Sequence, residues 1–551
     1  MRSSKIILSI LVISIFFQFC NSNNSEKINR IVIGISSEIE TINPLYSFSV
    51  DEGVINETLF LSLVHFEWDS SNGDLKEFPM LAESWEWDQD STSVTILLRN
   101  DIQWSDQTAL TIDDIIFSFD LYSDPQVQSR NIGTFKNFYT NDNGKVDLNK
   151  TFEKLSGNKL KINFLPGSVP SILDISIPII PKHIFDKIDR TEIPTSKVNF
   201  NPVSSGPYKL KKWNRNQSII LEANKKSFLF RDGMFDEIIF KIVPDYNSKL
   251  LQLKKGELDF SELIKAADAK EIINYNNLII KTVKGREYDY VGWNNIDSKT
   301  FLEKNLVKPN KLFGSAKVRQ ALSHAINKQE ILIEHLLNYG ELAVSPVSSI
   351  FKTYFDSSLK ALEYNPALAK KMLAEDGWTD KDKNGVIEKG NLEFRFTLHI
   401  PSGNPLREYA ATIIKNNLRA IGIEMNVEKS ELGAFIENLY NRKLDAWMAS
   451  WFIQVPLEFK TYWFSDLNIS PLNFTGYQSE EADKVMLNLE KVTDSKIKKT
   501  YIFEFQNIIY KDQPVTFLYW MDNIVVYNNK LKNVTINPYG ALQKLWEWRK
   551  S

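Results

Sequence analysis

The histidines are the residues of this chain best suited to acid-base or metal chemistry, and their spacing supports neither. The five are His65, His183, His324, His335 and His399. They are scattered along the chain, and no pair has the spacing of a zinc motif such as HExxH. No GxSxG element and no convincing pair of catalytic carboxylates accompanies them. We therefore expect core or surface histidines, no metal, no cofactor and no enzymatic activity.

An oxygen-rich segment, residues 380–391, has the beginning of a calcium loop. Oxygen side chains stand at positions one, three and five, in Asp380, Asp382 and Asn384, and Gly385 stands at position six. A calcium loop closes with a bidentate glutamate at position twelve, where this chain has Asn391. Two alternatives follow from these residues, a hairpin turn rich in Asx turns, which we favour, and a calcium site.

Cys20 is the only cysteine in 551 residues, and it follows an apolar run from Ile6 to Phe19. The run is shorter than the roughly 20 apolar residues that span a bilayer, which favours an export signal over residues 1–20. Lipoprotein signals place an acylated cysteine at this point, but usually after small residues, whereas Gln18 and Phe19 stand here. The alternatives are a lipidated Cys20 and an ordinary signal peptide with an incidental cysteine.

The composition indicates a large globular protein, and the predicted export signal implies that the mature protein lies outside the cytoplasm. Its hydrophobic content of 43% is ample for a core, and its length suggests two to four domains. The net charge of −3 comes from interspersed residues of both signs, which argues against a nucleic-acid binder.

Local patterns predict several secondary-structure elements. Residues 31–35 and 93–99 have strand patterns, the second with alternating apolar positions. Thr111 followed by Asp114 predicts a capping box at the start of a helix. A further helix is predicted from Ala316, and Asn327 is expected to cap another that ends at Gly340.

These segments belong to an ordered set of motifs that resembles one family. The set includes Leu81-Ala82-Glu83-Ser84-Trp85, Trp104-Ser105-Asp106, Phe117-Ser118-Phe119, Ser205-Gly206-Pro207-Tyr208 and Val318-Arg319-Gln320-Ala321-Leu322. It resembles the family-5 extracellular solute-binding proteins of bacterial ABC importers, the oligopeptide- and dipeptide-binding class, and covers essentially the whole mature chain.

The resemblance implies an α/β, periplasmic-binding-protein-like fold of the large three-domain type II cluster, with a ligand cleft between two lobes. Lobe I is expected to combine residues 30–60, 196–285 and 516–551. A small second lobe is expected over residues 61–195, and lobe III over residues 286–515.

The resemblance also implies ligand-binding residues. Trp451 matches a tryptophan that packs against the ligand, and Gln454 stands where relatives carry an aspartate that holds a peptide's α-ammonium. Glu458 is a candidate replacement for that acid. On the facing lobe, Phe48-Ser49-Val50 matches a loop that pairs with the ligand backbone by strand addition.

The expected function is therefore capture of a peptide or related solute, and its delivery to ABC permease and ATPase subunits. The chain is expected to be a monomer, periplasmic or at the cell surface, held to a membrane through a lipid on Cys20. The rival hypothesis is a surface lipoprotein that has lost transport and acts as an adhesin or scaffold.

Overall fold

The computed structural model describes residues 28–130 and 135–551, so the predicted export signal and Cys20 lie outside the described residues. Strands alternate with helices along the chain. The strands are β1 Arg30–Ile35, β2 Val64–Asp69, β3 Asp74–Pro79, β4 Ala82–Trp87, β5 Ser93–Leu98, β6 Phe152–Leu155, β7 Lys159–Asn163, β8 Tyr208–Asn214, β9 Ser218–Ala223, β10 Glu237–Ile242, β11 Phe260–Ser261, β12 Leu278–Trp293, β13 Gly340–Leu342, β14 Glu388–Lys389, β15 Leu392–Glu393, β16 Arg395–Pro401, β17 Glu424–Ser430, β18 Ala446–Phe452, β19 Val515–Asn528, β20 Leu531–Lys532, β21 Thr535–Asn537, β22 Gly540–Gln543 and β23 Arg549–Lys550.

The α-helices are Val50–Leu59, Ile112–Ser123, Leu148–Thr151, Lys182–Phe185, Tyr246–Lys255, Ala266–Ile272, Ser298–Lys304, Ala316–Ala325, Lys328–Glu334, Pro366–Glu375, Pro405–Arg419, Leu432–Tyr440, Lys460–Trp463, Glu480–Leu489 and Ser495–Asp512. None of the helices in the described ranges is both long enough and apolar enough to cross a bilayer.

One mixed sheet runs through the protein in the order β17-β16-β18-β12-β19-β11-β1-β10-β9-β8, with β13 added beside β19. Its centre is the antiparallel pair of β12 and β19, which are 16 and 14 residues long. Strands this long continue from one half of the sheet into the other. The two halves are therefore joined by continuous backbone at β12 and β19.

A separate antiparallel sheet, in the order β4-β5-β7-β6, lies within the predicted second lobe. One hydrophobic core joins buried residues of this sheet to buried residues of β1, β8–β10 and the C-terminal segment. Two other cores are formed by buried residues within positions 288–521. Because the first core spans the predicted lobe I and second lobe together, the proposed boundary between them stays a prediction.

Most of the local predictions are confirmed. The strands at residues 31–35 and 93–98 form, and Thr111 with Asp114 makes the predicted capping box on the helix Ile112–Ser123. The helix predicted from Ala316 begins there, and Asn327 caps the next helix by accepting from the Glu330 N–H.

The predicted end of that next helix at Gly340 is wrong. The helix stops at Glu334, and Leu337 and Asn338 follow with φ of 52° and 66°, values that no α-helix can continue through. Gly340 instead begins β13, where a Cβ would lie 2.4 Å from the Trp520 carbonyl oxygen. Gly340 therefore permits a close strand approach and does not terminate a helix.

Candidate ligand-binding site

The carboxyl ends of parallel strands define one edge in each half of the sheet. In the first half β1 runs parallel to β10 and β11, and β11 ends at Ser261, just before Glu262. In the second half β16 runs parallel to β17 and β18, and β18 ends at Phe452, just before the loop with Gln454. Ligands of open α/β sheets bind outside such carboxyl ends.

Both edges point toward the same part of the β12–β19 pair. Beyond β11, the Leu263 N–H donates to the Asn523 side chain of β19 at 3.3 Å. At the end of β18, Phe452 lies opposite Glu287 of β12, and Glu287 in turn lies opposite Met521 of β19. The two edges therefore approach each other across a short section of the crossing, and a ligand placed there would contact both halves.

Trp451 lies in an aromatic cluster at the second edge. Its ring stacks on Tyr290 and Phe474, with centroid distances of 6.1 and 5.5 Å, and meets Tyr462 edge-on at 4.9 Å. Trp451 is half-buried, so part of its surface is accessible while its orientation is fixed by three other rings. Such a ring offers rigid apolar contact area at low entropic cost.

Gln454 is exposed and follows this cluster directly. Burial raises the pKa of the nearby Tyr462 side chain. Glu458 is already engaged, because its carboxylate accepts from the Thr461 N–H at 3.1 Å. This loop therefore presents an exposed amide, Gln454, and an exposed carboxylate, Glu458, to a polar ligand group.

The strand-addition role predicted for Phe48, Ser49 and Val50 stays a prediction, but two of the backbone N–H groups do not serve it. The backbone N–H groups of Phe48 and Ser49 both donate to the Glu52 carboxylate, at 2.7 and 3.0 Å, and the Ser49 hydroxyl caps the helix Val50–Leu59. The segment is thus a helix N-terminus with a capping box, and these two N–H groups are not available to a ligand strand. What it presents outward is apolar, because Phe48 is 84% and Val50 69% exposed.

A charged group that the sequence did not indicate lies beside this apolar surface. Burial and then the nearby Glu262 raise the pKa of Asp51 to about 6, and burial also raises the pKa of Glu262. Burial lowers the pKa of Lys249, a cation whose charge acts on both acids. The first edge therefore carries partly desolvated acids that would favour a cationic partner. Glu262 follows a strand of two residues, too short for a period to be read from sequence.

A cavity of about 280 Å³ opens next to the Gln454 loop. Residues 456–460 form one wall, Tyr354 and Met486 line the apolar interior, and Asp74 and Lys136 reach it from the predicted second lobe. The volume suits a large side chain rather than a whole peptide. Because different parts of the chain line it, its shape would depend on how far the lobes close.

The oxygen-rich loop at residues 380–391 forms the favoured turn. The Asn384 N–H donates to Asp382 and the Gly385 N–H to Asp380, both at 3.1 Å. Carboxylate oxygens of Asp380, Asp382 and Glu388 lie within 4.8 Å of one another, and Asn391 takes no part in that group. Calcium binding at this loop stays untested.

Comparisons with known proteins agree with this geometry. Residues 77–468 match the family described as bacterial extracellular solute-binding proteins, family 5 Middle. The chain is 30% identical over 571 aligned positions to the oligopeptide-binding protein AppA of Bacillus subtilis, over 99% of this chain and 98% of that protein.

Solved structures give the same answer. The structure of AppA from Bacillus subtilis in complex with a nonapeptide matches with a TM-score of 0.74 and 28% identity, over 95% of this chain and 99% of that one. NikZ from Campylobacter jejuni in complex with Ni(L-His) matches with a TM-score of 0.75 and 25% identity, over 95% and 99%. These matches confirm the predicted periplasmic-binding-protein fold of the large cluster. The chain belongs to family 5 of the bacterial extracellular solute-binding proteins, a non-enzymatic family.

Proposed function

We propose that this protein is the substrate-binding component of an ABC importer and that it takes a peptide between the two carboxyl edges. The observation that carries the proposal is that the two carboxyl edges of the sheet approach each other at the β12–β19 pair. Trp451 and Gln454 lie at one edge, and Phe48 and Glu262 lie at the other. The similarity to AppA, solved with a nonapeptide, supports a peptide as the ligand.

The rival proposal of a transport-inactive scaffold predicts a cleft filled by the chain's own side chains. The exposed Phe48 and Val50, and the cavity beside the Gln454 loop, instead favour a protein that receives a ligand. Native mass spectrometry of the purified protein would reveal small molecules that copurify with it.

Ligand binding should close the lobes around the hinge that β12 and β19 form. We expect the radius of gyration in solution scattering to fall when a mixture of nonapeptides is added, because the open form dominates without ligand. A mixture of the constituent amino acids serves as the control and should leave the scattering unchanged. Identical scattering with and without saturating nonapeptides would contradict the peptide proposal.

Gln454 should determine how the ligand's amino group is treated. An amide can donate to a carbonyl or accept from a hydroxyl, but it cannot neutralise an ammonium. Gln454→Asp should therefore shift preference toward free-amine peptides over N-acetylated ones by about tenfold, the difference between a charge-assisted and a neutral hydrogen bond. Calorimetry on matched free and acetylated nonapeptides measures the ratio.

The same measurement on Glu458→Gln is the control for the alternative anchor. Since Glu458 already accepts from the Thr461 N–H, this variant should leave the ratio unchanged. A strong wild-type preference for the free amine that Glu458→Gln abolishes would assign the role to Glu458 instead.

The lipid anchor belongs to this proposal. Cys20 follows an apolar run too short to span a bilayer and precedes a polar tract, as an acylated cysteine would. Palmitate labelling of cells that express the full chain should mark the wild type and not Cys20→Ser. Equal release of both proteins into the soluble fraction without detergent would show that the cysteine is incidental.

Delivery to membrane permease subunits, and a monomeric state in solution, complete the proposal. Both rest on membership of the family, and size-exclusion chromatography with light scattering tests the second.

A further inference from the structure

Arg286 joins three segments of the chain that are far apart in sequence. It lies in β12 where the register against β19 shifts between Lys284 and Glu287, so Gly285 and Arg286 bulge out of the ladder. Gly285 permits the close crossing, because a Cβ there would lie 2.0 Å from the Met521 carbonyl oxygen. Because of the bulge, Arg286 has no register partner in β19.

The guanidinium donates to three backbone carbonyls. Nε donates to Pro538 at 2.8 Å, Nη2 to Tyr539 at 3.1 Å, and Nη1 to Ile453 at 2.9 Å. The backbone carbonyl of Arg286 also accepts from the Ile453 N–H at 2.9 Å. Ile453 is therefore held from both its N–H and its carbonyl by one residue, immediately before Gln454.

These partners belong to different cores. Ile453 packs in a core of the second half of the sheet, whereas Ile536 and Ala541, which flank residues 538 and 539, pack in the core that contains β1 and β10. Arg286 thus connects the Gln454 loop to the opposite half of the sheet. A fixed planar fork can bridge three carbonyls in this way, which a lysine ammonium with its single charged atom cannot reproduce.

Among the described residues, aromatic faces and carbonyl dipoles, and no carboxylate, are paired with the guanidinium. Arg286 is 7% exposed, with the Phe452 ring at 4.3 Å and the Tyr539 ring at 5.7 Å. Burial lowers its pKa to about 10. A buried charge that is balanced only by dipoles and ring faces depends on their positions, so the carbonyls of Ile453, Pro538 and Tyr539 must stay in place for it to be tolerated.

We propose that Arg286 is the positioning residue of the ligand site, which fixes the Gln454 loop relative to the C-terminal segment 538–539 so that the loop meets its ligand in one arrangement. Arg286 does not contact the ligand in this proposal. It acts through Ile453, and its effect on affinity rests on the proposed function above.

Hydrogen exchange in the absence of ligand tests the positioning directly. In Arg286→Lys, backbone exchange in residues 452–458 and in residues 537–541 should both accelerate by at least about tenfold, the lower limit for the loss of one charge-assisted hydrogen bond. Phe452→Leu removes one ring face from the guanidinium and should accelerate exchange at residues 537–541 to a smaller extent. Unchanged exchange at 537–541 in both variants would overturn the proposal.

Arg319 provides a matched control. It is 4% exposed, burial likewise lowers its pKa to about 10, and it donates to the carbonyls of Phe313, Gly314, Asp512 and Gln513. Arg319→Lys should loosen those segments and leave residues 452–458 unaffected. Equal acceleration of the Gln454 loop by both variants would show that Arg286 contributes general stability only.

Affinity provides the second measurement. For the nonapeptide mixture we expect Arg286→Lys to bind about tenfold more weakly than wild type, and Arg319→Lys to bind within twofold of it. Equal affinities for the two variants would contradict the positioning role. Failure of the wild type itself to bind nonapeptides would refute the proposed ligand, while the exchange experiment would still decide the role of Arg286.

Discussion

Replacing Arg407 with leucine should lower the free energy of unfolding by about 3–5 kcal/mol, the cost of leaving a buried ion without its partner. Arg407 makes a bidentate pair with Asp289, with Nε–Oδ2 and Nη2–Oδ1 distances of 3.1 and 2.9 Å. The Asp289 side chain is 1% exposed, so water cannot replace the lost cation. Glu287, whose pKa is raised by burial, lies close enough to add repulsion.

The opposite substitution should cost less. In Asp289→Leu the stranded group is Arg407, and the nearby Glu287, which already interacts with the Arg407 charge, can take over part of the pairing. The double variant Asp289→Leu with Arg407→Leu should recover most of the loss, because apolar groups can replace a buried ion pair at little net cost. Urea unfolding of the four proteins at pH 7 gives the coupling free energy of the cycle.

An exposed pair supplies the control for that cycle. Lys317 and Glu375 lie 2.6 Å apart at the surface, with side chains 40% and 47% exposed. Lys317→Leu should leave the unfolding midpoint almost unchanged, since water solvates the remaining carboxylate. A loss in Arg407→Leu no larger than in Lys317→Leu would contradict a tightly desolvated pair. The Arg407–Asp289 pair matters for function because it connects β12 to the helix Pro405–Arg419 beside the second carboxyl edge.

Sequence patterns predicted the elements whose cause is local. The alternation of Val94, Ile96 and Leu98 and the capping box at Thr111 each depend on residues within one turn or one strand, and both are confirmed. The same kind of pattern was present at Ser49, where Glu52 stands three residues later. That spacing indicates a helix N-terminus whose capping glutamate binds the Phe48 and Ser49 N–H groups.

The site itself depends on contacts that no local pattern contains. Arg286 and Pro538 are 252 positions apart, and Arg286 and Ile453 are 167 apart, so only the fold brings them together. Glu262 reaches the first edge because it follows β11, a strand of only two residues. Leu263 comes next, with a left-handed φ of 57° that no local pattern indicates. Trp451 and Gln454 were found only because a family motif marks their positions.

Glu57 is the second residue whose replacement should change stability strongly, and the sign should depend on pH. It lies near the C-terminus of the helix Val50–Leu59, where the helix dipole disfavours a negative charge. Burial, and then Glu67, raise the pKa of Glu57 to about 7, while Lys544 opposes the shift. Lys544 is already paired with Glu67 and Glu547, at 3.0 and 2.9 Å.

The other groups that face Glu57 do not supply a cation. His65 Nδ1 lies 3.7 Å from its carboxylate, but burial lowers the pKa of His65 to about 4, so the ring is neutral at pH 7. Tyr539 is neutral at that pH as well, because burial and then the Glu57 charge raise its pKa. The negative charge of ionised Glu57 is therefore not neutralised by His65 or Tyr539 in the folded protein.

Because the folded pKa of about 7 exceeds the unfolded value of about 4.5, the folded state binds more protons between these two pH values. The contribution of Glu57 to the free energy of unfolding must then fall as the pH rises through this window, and the full cost is present above about pH 7. A shift of this size corresponds to about 3 kcal/mol, which the 28% exposure of the side chain reduces to about 2 kcal/mol.

Glu57→Gln should accordingly stabilise the protein by about 2 kcal/mol at pH 8 and by only about a quarter of that at pH 5, near the lower end of the window. Urea unfolding of wild type and variant at both pH values measures the difference. Glu83→Gln, at an exposed glutamate of β4, is the control and should have the same small effect at both. Equal stabilisation by Glu57→Gln at pH 5 and pH 8 would mean that the carboxyl group does not titrate between them. Since Glu57 lies beside Tyr539, which accepts a hydrogen bond from Arg286, a confirmed pH dependence would place a titrating charge next to the contact that positions the Gln454 loop.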